Sequence, residues 1–372
     1  MATRPEVVLV TGVSRFLGAR IAATLATRTG VGRVIGLDSF PPHPEVEHLL
    51  ADSSVEVVQA DLRASGEVIA DLGVEAVVHL AVVSSPDQAR GGRAAMKEQN
   101  VIGTMQLLAA CQQAASLRRL VVRSSTAAYG ASFRDPAVFT EDTEPREVPR
   151  GGYARDILDI ESYVRGFRRR RPDVTATVLR FAPFIGASAE TALLRYLTRP
   201  TVPTVLGRDP RMQFVHVDDA LEIIERSVLE SHPGTFNVAG AGVVTLSQAI
   251  RRAGRIALPI VEQALAVSAA TGRGLISNDQ IDLFVHGRVV DTTRLVREFG
   301  FTPRSTPDAF ADFVRTHQTG ALVTPERLAA AERSFLDMIQ RVREPGSLGR
   351  GGLARAARSA VSRPPEVQSE VR

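Results

Sequence analysis

Gly12 and Gly18 follow an apolar run, Val7-Val-Leu-Val-Thr, and Asp38 closes the next such run, Val34-Ile-Gly-Leu-Asp38, twenty residues after Gly18. That spacing has a chemical meaning. A strand ending at Gly12 can turn tightly there, and a helix that starts beside Gly18 can pack close to the strand with its N-terminal N–H groups directed at an anion. A carboxylate at the end of the second strand can accept hydrogen bonds from both hydroxyls of a ribose and repels a phosphate on the 2′ oxygen. The loop Gly12–Gly18, with Arg15, Phe16 and Leu17 at the helix start, and Asp38 are therefore the expected holders of a dinucleotide. Arg15 stands where a third glycine is expected, and its guanidinium would suit the 2′-phosphate of NADP. Asp38 argues the other way, and the expectation is NAD.

These residues need a sheet beneath them. Apolar runs bounded by turns recur at Val7–Val10, Val34–Leu37, Val55–Val58, Ala76–Leu80, Leu120–Val122 and Thr175–Leu179, with helix-patterned stretches between most of them. This alternation predicts right-handed βαβ units and an α/β fold, a Rossmann-type doubly wound parallel sheet over residues 1–180. From about residue 181 the prolines at 183, 200, 203 and 210 break the pattern, and helices are expected near 218–230, 245–254 and 306–317. Residues 181–344 read as a smaller C-terminal substrate lobe interleaved with the Rossmann core, and 345–372, rich in Gly, Arg, Ala, Ser and Pro, as a disordered tail.

At 372 residues and 44% hydrophobic content the chain is long enough to bury an enzyme-sized core. No apolar run approaches the roughly twenty residues needed to cross a bilayer, and the N-terminus lacks a signal-peptide core, so no membrane association and a cytoplasmic location are expected. Cys111, the single cysteine, reads as a small buried helix residue. The net charge of +4 is spread among 41 acids, which argues against a nucleic-acid partner. Arg168-Arg-Arg-Arg171 before Pro172 reads as a solvated helix C-terminus, where cations meet the negative end of the dipole. No His, Cys and carboxylate grouping has metal-ligand spacing.

A longer series of landmarks runs through the chain: Thr11-Gly12 to Gly18, Asp38, Asp61-Leu62, Val77-Val-His-Leu-Ala81, Asn100-Val-Ile-Gly-Thr104, Ser124-Ser-Thr-Ala-Ala-Tyr-Gly130, Tyr153, Arg180-Phe-Ala-Pro-Phe-Ile-Gly186 and Phe214-Val-His-Val-Asp-Asp219. In this order, over residues 7–315, they resemble the extended short-chain dehydrogenase/reductases of the NAD-dependent epimerase/dehydratase group, including bacterial proteins labelled UDP-glucose 4-epimerase. The resemblance implies that Asp61 and Leu62 flank the adenine and that Leu80, Ala81 and Asn100 line the cofactor. It further implies that Ser125 and Tyr153 form a catalytic hydroxyl pair acting on a nucleotide sugar. It also implies a homodimer paired through helices near 97–115 and 153–170.

The chemistry suits those types, because oxidising a sugar alcohol with a nicotinamide needs a base for the hydroxyl proton. In the family a lysine four residues after the tyrosine lowers the phenol pKa from its ordinary value of about 10. Here Ile157 occupies that place, and Lys97 is the single lysine among 45 basic residues. Lys97 is the one lysine that could substitute, with a surface position the plainer reading. Arg155, two residues on from Tyr153, should point away, and Asp156 would raise the phenol pKa if it came close. Tyr129 is expected in the cleft wall, and His216 as a structural residue before a helix capped by Asp218. Arg195, Arg208, Arg211 and Arg288 are candidates for a diphosphate, while Met212 and Gln213 displace the arginine expected before Phe214. Two functions follow: an NAD-dependent nucleotide-sugar epimerase/dehydratase with an atypical site, or a weak or inactive dinucleotide-binding sensor.

Overall fold

All six apolar runs form strands: β1 (Val7–Thr11), β2 (Arg33–Asp38), β3 (Val55–Gln59), β4 (Ala76–His79), β5 (Arg119–Ser125) and β6 (Thr175–Phe181). The computed structural model describes residues 4–317 apart from 90, 148, 150–151, 187–190 and 262–277. The stretch read as a tail, 345–372, lies outside them. A seventh strand, Gly234–Val238, joins the sheet, whose order from that edge is Gly234–Val238, β6, β5, β4, β1, β2, β3. Every pairing is parallel. The chain therefore returns from the C-terminal segment to complete the sheet.

Helices α1 (Phe16–Ala26), α2 (Pro44–Ala51), α3 (Ser65–Asp71), α4 (Gly92–Lys97), α5 (Thr104–Gln113), α6 (Gly152–Arg170), α7 (Ala192–Leu197) and α8 (Val217–Leu229) follow in chain order. The period-two alternation of the strands sorts them into two layers. Val8 and Val10 pack with Ile21 and Leu25 of α1, Leu50 of α2 and Ile223 of α8. Leu9 faces the opposite way, with Ile69 of α3, Leu107 of α5 and Ile160 of α6. A separate cluster, including Leu194, Val202, Phe214, Leu246, Phe284 and Phe310, forms a core of its own in the C-terminal segment.

Between α4 and α5 the chain winds as a π-helix over Glu98–Gly103. Wider turns of this kind recur at functional positions, and this one carries Asn100.

The basic run 168–171 closes α6 as expected, with Arg169 and Arg170 exposed, but Arg168 and Arg171 are half-buried and make specific contacts. Arg168 donates to Ala176 O at 2.9 Å and Gly234 O at 2.5 Å, bracing the sheet edge. Arg171 donates to the carbonyls of Cys111, Gln112 and Ala114 at the end of α5, at 3.1, 3.1 and 2.9 Å. The cations therefore meet the negative end of α6 through Arg168–Arg170 and that of α5 through Arg171. Cys111 is buried, and burial pushes its thiol pKa up to about 12.

Candidate active site

The strand order reverses between β1 and β4, and an open α/β sheet takes ligands in the crevice outside such a switch point. Gly12 has φ +86°, and a Cβ on it would lie 2.8 Å from both the Leu80 carbonyl carbon and the Ala81 nitrogen. A Cβ on Gly18 would lie 2.6 Å from the Gly12 carbonyl carbon. Both positions require glycine. Arg15, by contrast, has φ −122° and ψ 159°, open to any L-residue, so arginine stands there without strain. It precedes α1 with no side-chain cap, and no acid occupies the first turn, which leaves the helix N-terminus suited to an anion. Burial and, next, the charge of Arg123 lower the Arg15 pKa, against the pull of Asp38.

Asp38 is buried, and both its carboxylate oxygens are oriented. Oδ2 accepts from the Ser14 N–H at 3.0 Å and Oδ1 from the Phe40 N–H at 3.1 Å, tying the acid to the glycine loop. Its remaining lone pairs can serve ribose hydroxyls. Asp61 caps the turn Leu62–Ala64 and pairs with the Arg63 Nε at 3.0 Å. With Leu62, Ser39 and Phe40 it lines a cleft of about 190 Å³ that Glu98 and Gly103 close from the π stretch. A cradle that any side chain would fill, an uncapped helix start and a fixed acid fit a dinucleotide.

His79 fixes the floor of the crevice. Thr104 Oγ1 donates to Asn100 O at 2.5 Å, so it accepts from His79 Nε2–H at 2.8 Å; Nδ1 then accepts from the Thr11 hydroxyl, also at 2.8 Å. Thr11 Oγ1 in turn accepts from the N–H groups of Leu80 and Ala81, at 3.2 and 3.3 Å. The ring is a neutral Nε2–H tautomer, and burial, helped by the charge of Arg123, holds its pKa down at about 4. An unfolded chain protonates this group near 6.5, whereas the fold resists until about 4, so stability is full above that window and falls as pH drops through it. Integrated, the loss is about 3 kcal/mol. Urea unfolding across this range should show the slope, and His79→Gln should flatten it; an unchanged slope would exclude His79 as its source.

Asn100 is fully buried. Its Oδ1 accepts from the Val83 N–H at 2.8 Å, and its Nδ2 donates to Val83 O at 2.9 Å and to Asp156 Oδ2 at 3.1 Å. It therefore shapes the segment after β4 through Val83. Asp156 is also held bidentately by Arg93, at 2.7 and 2.5 Å, which neutralises the acid beside Tyr153 in the chain.

The second cleft, of about 130 Å³, brings together Ser125, Tyr153, Arg123, Ser84, Phe184 and Arg288. Ser125 ends β5, and its Oγ accepts from the Ala127 N–H at 3.1 Å, so its own O–H remains to be donated. Ser124, on the opposite face of the strand, donates to Glu161 Oε1 at 2.5 Å. Glu161 pairs with Arg180 at 2.9 and 2.6 Å. Arg180 also donates to Tyr129 Oη at 2.8 Å, and Tyr129 donates to Asn237 Oδ1 at 2.7 Å. Tyr129 is thus locked in a buried network, where burial raises its pKa.

Ile157 is fully buried in the apolar cluster beneath α6. Lys97 is exposed and lines neither cleft, so it does not replace the missing lysine. Arg155 is exposed and pairs with Asp159 at 3.1 Å. Of the four arginines expected as candidates for a diphosphate, only Arg288 lines this second cleft, while Arg195, Arg208 and Arg211 are exposed. Gln213 joins the carbonyl of Gly240 to the N–H of Val290, at 2.9 and 2.8 Å. His216, not Asp218, caps α8: its Nδ1 accepts from the Asp218 N–H at 3.2 Å. Sequence reading missed Arg123, whose only signal is its place two residues before Ser125 on one strand face.

Residues 8–239 match the model of the NAD dependent epimerase/dehydratase family. The chain belongs to this family. A family relative from Mycobacterium tuberculosis, an uncharacterized protein, is 42% identical over 344 residues and covers 91% of each chain. Among solved structures, a UDP-glucose 4-epimerase of Thermotoga maritima determined with UDP-glucose is similar with a TM-score of 0.66 at 20% identity, over 84% of this chain and 99% of that one. A dTDP-glucose 4,6-dehydratase of Streptomyces venezuelae with NAD and TYD bound is similar with a TM-score of 0.65 at 22% identity, over 84% and 97%. At these identities the structures show a shared fold, the Rossmann-type sheet expected from the sequence.

Proposed function

We propose that this epimerase/dehydratase family member binds NAD at the switch-point crevice and acts on a nucleotide sugar by transient oxidation of a ring hydroxyl. The observation that carries the proposal is the convergence of Ser125 and Tyr153 in one cleft beside that crevice. Sugar nucleotides appear with two proteins of the same fold, one bearing UDP-glucose and one named for dTDP-glucose. Gly12, Gly18 and the N-terminus of α1 would hold the pyrophosphate, Asp38 the adenosine ribose, and Asp61 with Leu62 the adenine side. Bound NAD supplies the hydride acceptor.

Ser125 donates its O–H to the substrate hydroxyl oxygen and holds it in place. Tyr153 Oη, as the phenolate, takes the proton of that hydroxyl as the carbonyl forms. Arg288, reaching the cleft from the C-terminal segment, suits the anionic part of the substrate. A redox-silent sensor is the reading that buried Ile157 favours, and the same experiment separates the two. With a sugar nucleotide found by screening UDP- and dTDP-linked hexoses for interconversion by NMR, Tyr153→Phe should lower turnover at least about 100-fold. NAD affinity should stay within about threefold, since the phenol hydroxyl is assigned to the substrate. Turnover that survives the substitution would remove Tyr153 from proton transfer, and the absence of any interconversion across the panel would favour the sensor.

A further inference from the structure

The cleft that holds Ser125 and Tyr153 contains a cation the family pattern does not supply. Arg123 lies on β5 two residues before Ser125, so their side chains share one face of the strand, while Ser124 faces α6. Its Nη1 donates to Val82 O at 3.0 Å, in the segment that follows β4. Its guanidinium stands 5.3 Å from the centroid of the Phe184 ring. Its Nε is buried with no hydrogen-bond partner. A buried guanidinium nitrogen left without an acceptor is costly in a folded protein and marks a position kept for a reason other than stability.

No carboxylate compensates that charge among the described residues lining the cleft, of which Arg123 and Arg288 are the only charged ones. Of the charged groups on and around α6, which also carries Tyr153, Asp156 pairs with Arg93 of α4 and Arg155 pairs with Asp159. The field of Arg123 reaches inward as far as His79 and Arg15, contributing to the lowered pKa of both.

We infer that Arg123 takes over the electrostatic task of the missing lysine: its guanidinium favours the phenolate form of Tyr153, from a neighbouring strand instead of from the next turn of the same helix. The inference rests on Tyr153 being the proton acceptor proposed above. Arg123 is a positioning residue in this scheme, acting through the field it places on Tyr153. A guanidinium keeps its charge at every working pH, whereas an ammonium can lose it when buried, so the substitution suits a chain with almost no lysine.

Ultraviolet titration of tyrosinate absorbance tests this without knowledge of the substrate, because the chain has four tyrosines, and burial raises the pKa of two of them, Tyr129 and Tyr196. In the NAD-loaded protein one tyrosine should ionise about two pH units below the ordinary value of about 10. Tyr153→Phe should abolish that step. Arg123→Met should raise it by at least about one pH unit, Arg123→Lys should restore it, and Arg288→Met should leave it in place. Arg123→Gln, which keeps a polar planar group at the Val82 carbonyl, provides the same reading should the methionine variant fold poorly. An unmoved step in the charge-removing variants, or a step that follows Arg288 instead, overturns the role of Arg123 while leaving Tyr153 as the acceptor. Absence of any early step in the wild-type chain overturns the reading of Tyr153 itself, and the role of Arg123 with it.

Discussion

Gly18→Ala is expected to abolish NAD binding and to destabilise the fold by about 3 kcal/mol. The new methyl group would sit 2.6 Å from the Gly12 carbonyl carbon, far inside any real Cβ contact, and the atom it meets is backbone. Only a shift of α1 away from β1 can relieve the overlap. That shift moves the N-terminus of α1 and loosens the Ser14 N–H that orients Asp38, so both ends of the proposed NAD site are lost together. Calorimetric titration with NAD should show affinity weakened at least about 100-fold, equivalent to about 2.7 kcal/mol. Binding within a few fold of the wild type would mean that the cofactor does not rely on this loop.

Glu161→Ala is expected to be the more damaging substitution for stability, at about 3–5 kcal/mol. The Arg180 side chain is only 12% exposed, and Glu161 is 6% exposed, so the change strands a guanidinium rather than releasing it to water. The pair raises the Arg180 pKa in spite of its burial, which records how strongly Glu161 holds the charge in place. Ser124 loses its acceptor at the same time, and Ser125 is the next residue along the strand. Chemical denaturation should give the stability loss, and Glu161→Gln, which keeps the shape and one acceptor, should recover part of it. Equal midpoints for Glu161→Ala and the wild type would show that water satisfies Arg180 and that the network is incidental.

Six of the seven strands of the sheet could be read from the sequence because each carries an apolar run bounded by turns, which burial on both faces demands in the strands inside the sheet, though not in the edge strand β3. The strand Gly234–Val238 could not, since Gly-Thr-Phe-Asn-Val has little apolar content and pairs along one edge only. Prolines hid the parallel pair Thr201–Val205 and Ile256–Ile260, where Pro203 and Pro259 sit inside the strands. Proline is tolerated at sheet edges, so its presence argued against strands that exist. In the site, Gly12, Gly18 and Asp38 were legible because backbone clearance and strand-end position follow from local spacing. Asn100 was legible as a landmark but not in its task, since its partners Val83 and Asp156 lie 17 and 56 residues away. Arg123 was invisible for a related reason: it shares its cleft with Tyr153, which lies on another element far along the chain.

Lys97 gives the molecule a practical asymmetry. It is exposed at the end of α4, immediately before the π-helical stretch whose Glu98 and Gly103 line the cleft that Asp61 and Leu62 share. Because every other basic side chain is an arginine, an amine-directed dye meets one side-chain target besides the α-amino group of the chain. Lys97 therefore offers one side-chain attachment point a single residue from that cleft, where fluorescence can report its occupancy without engineering any new residue into the protein.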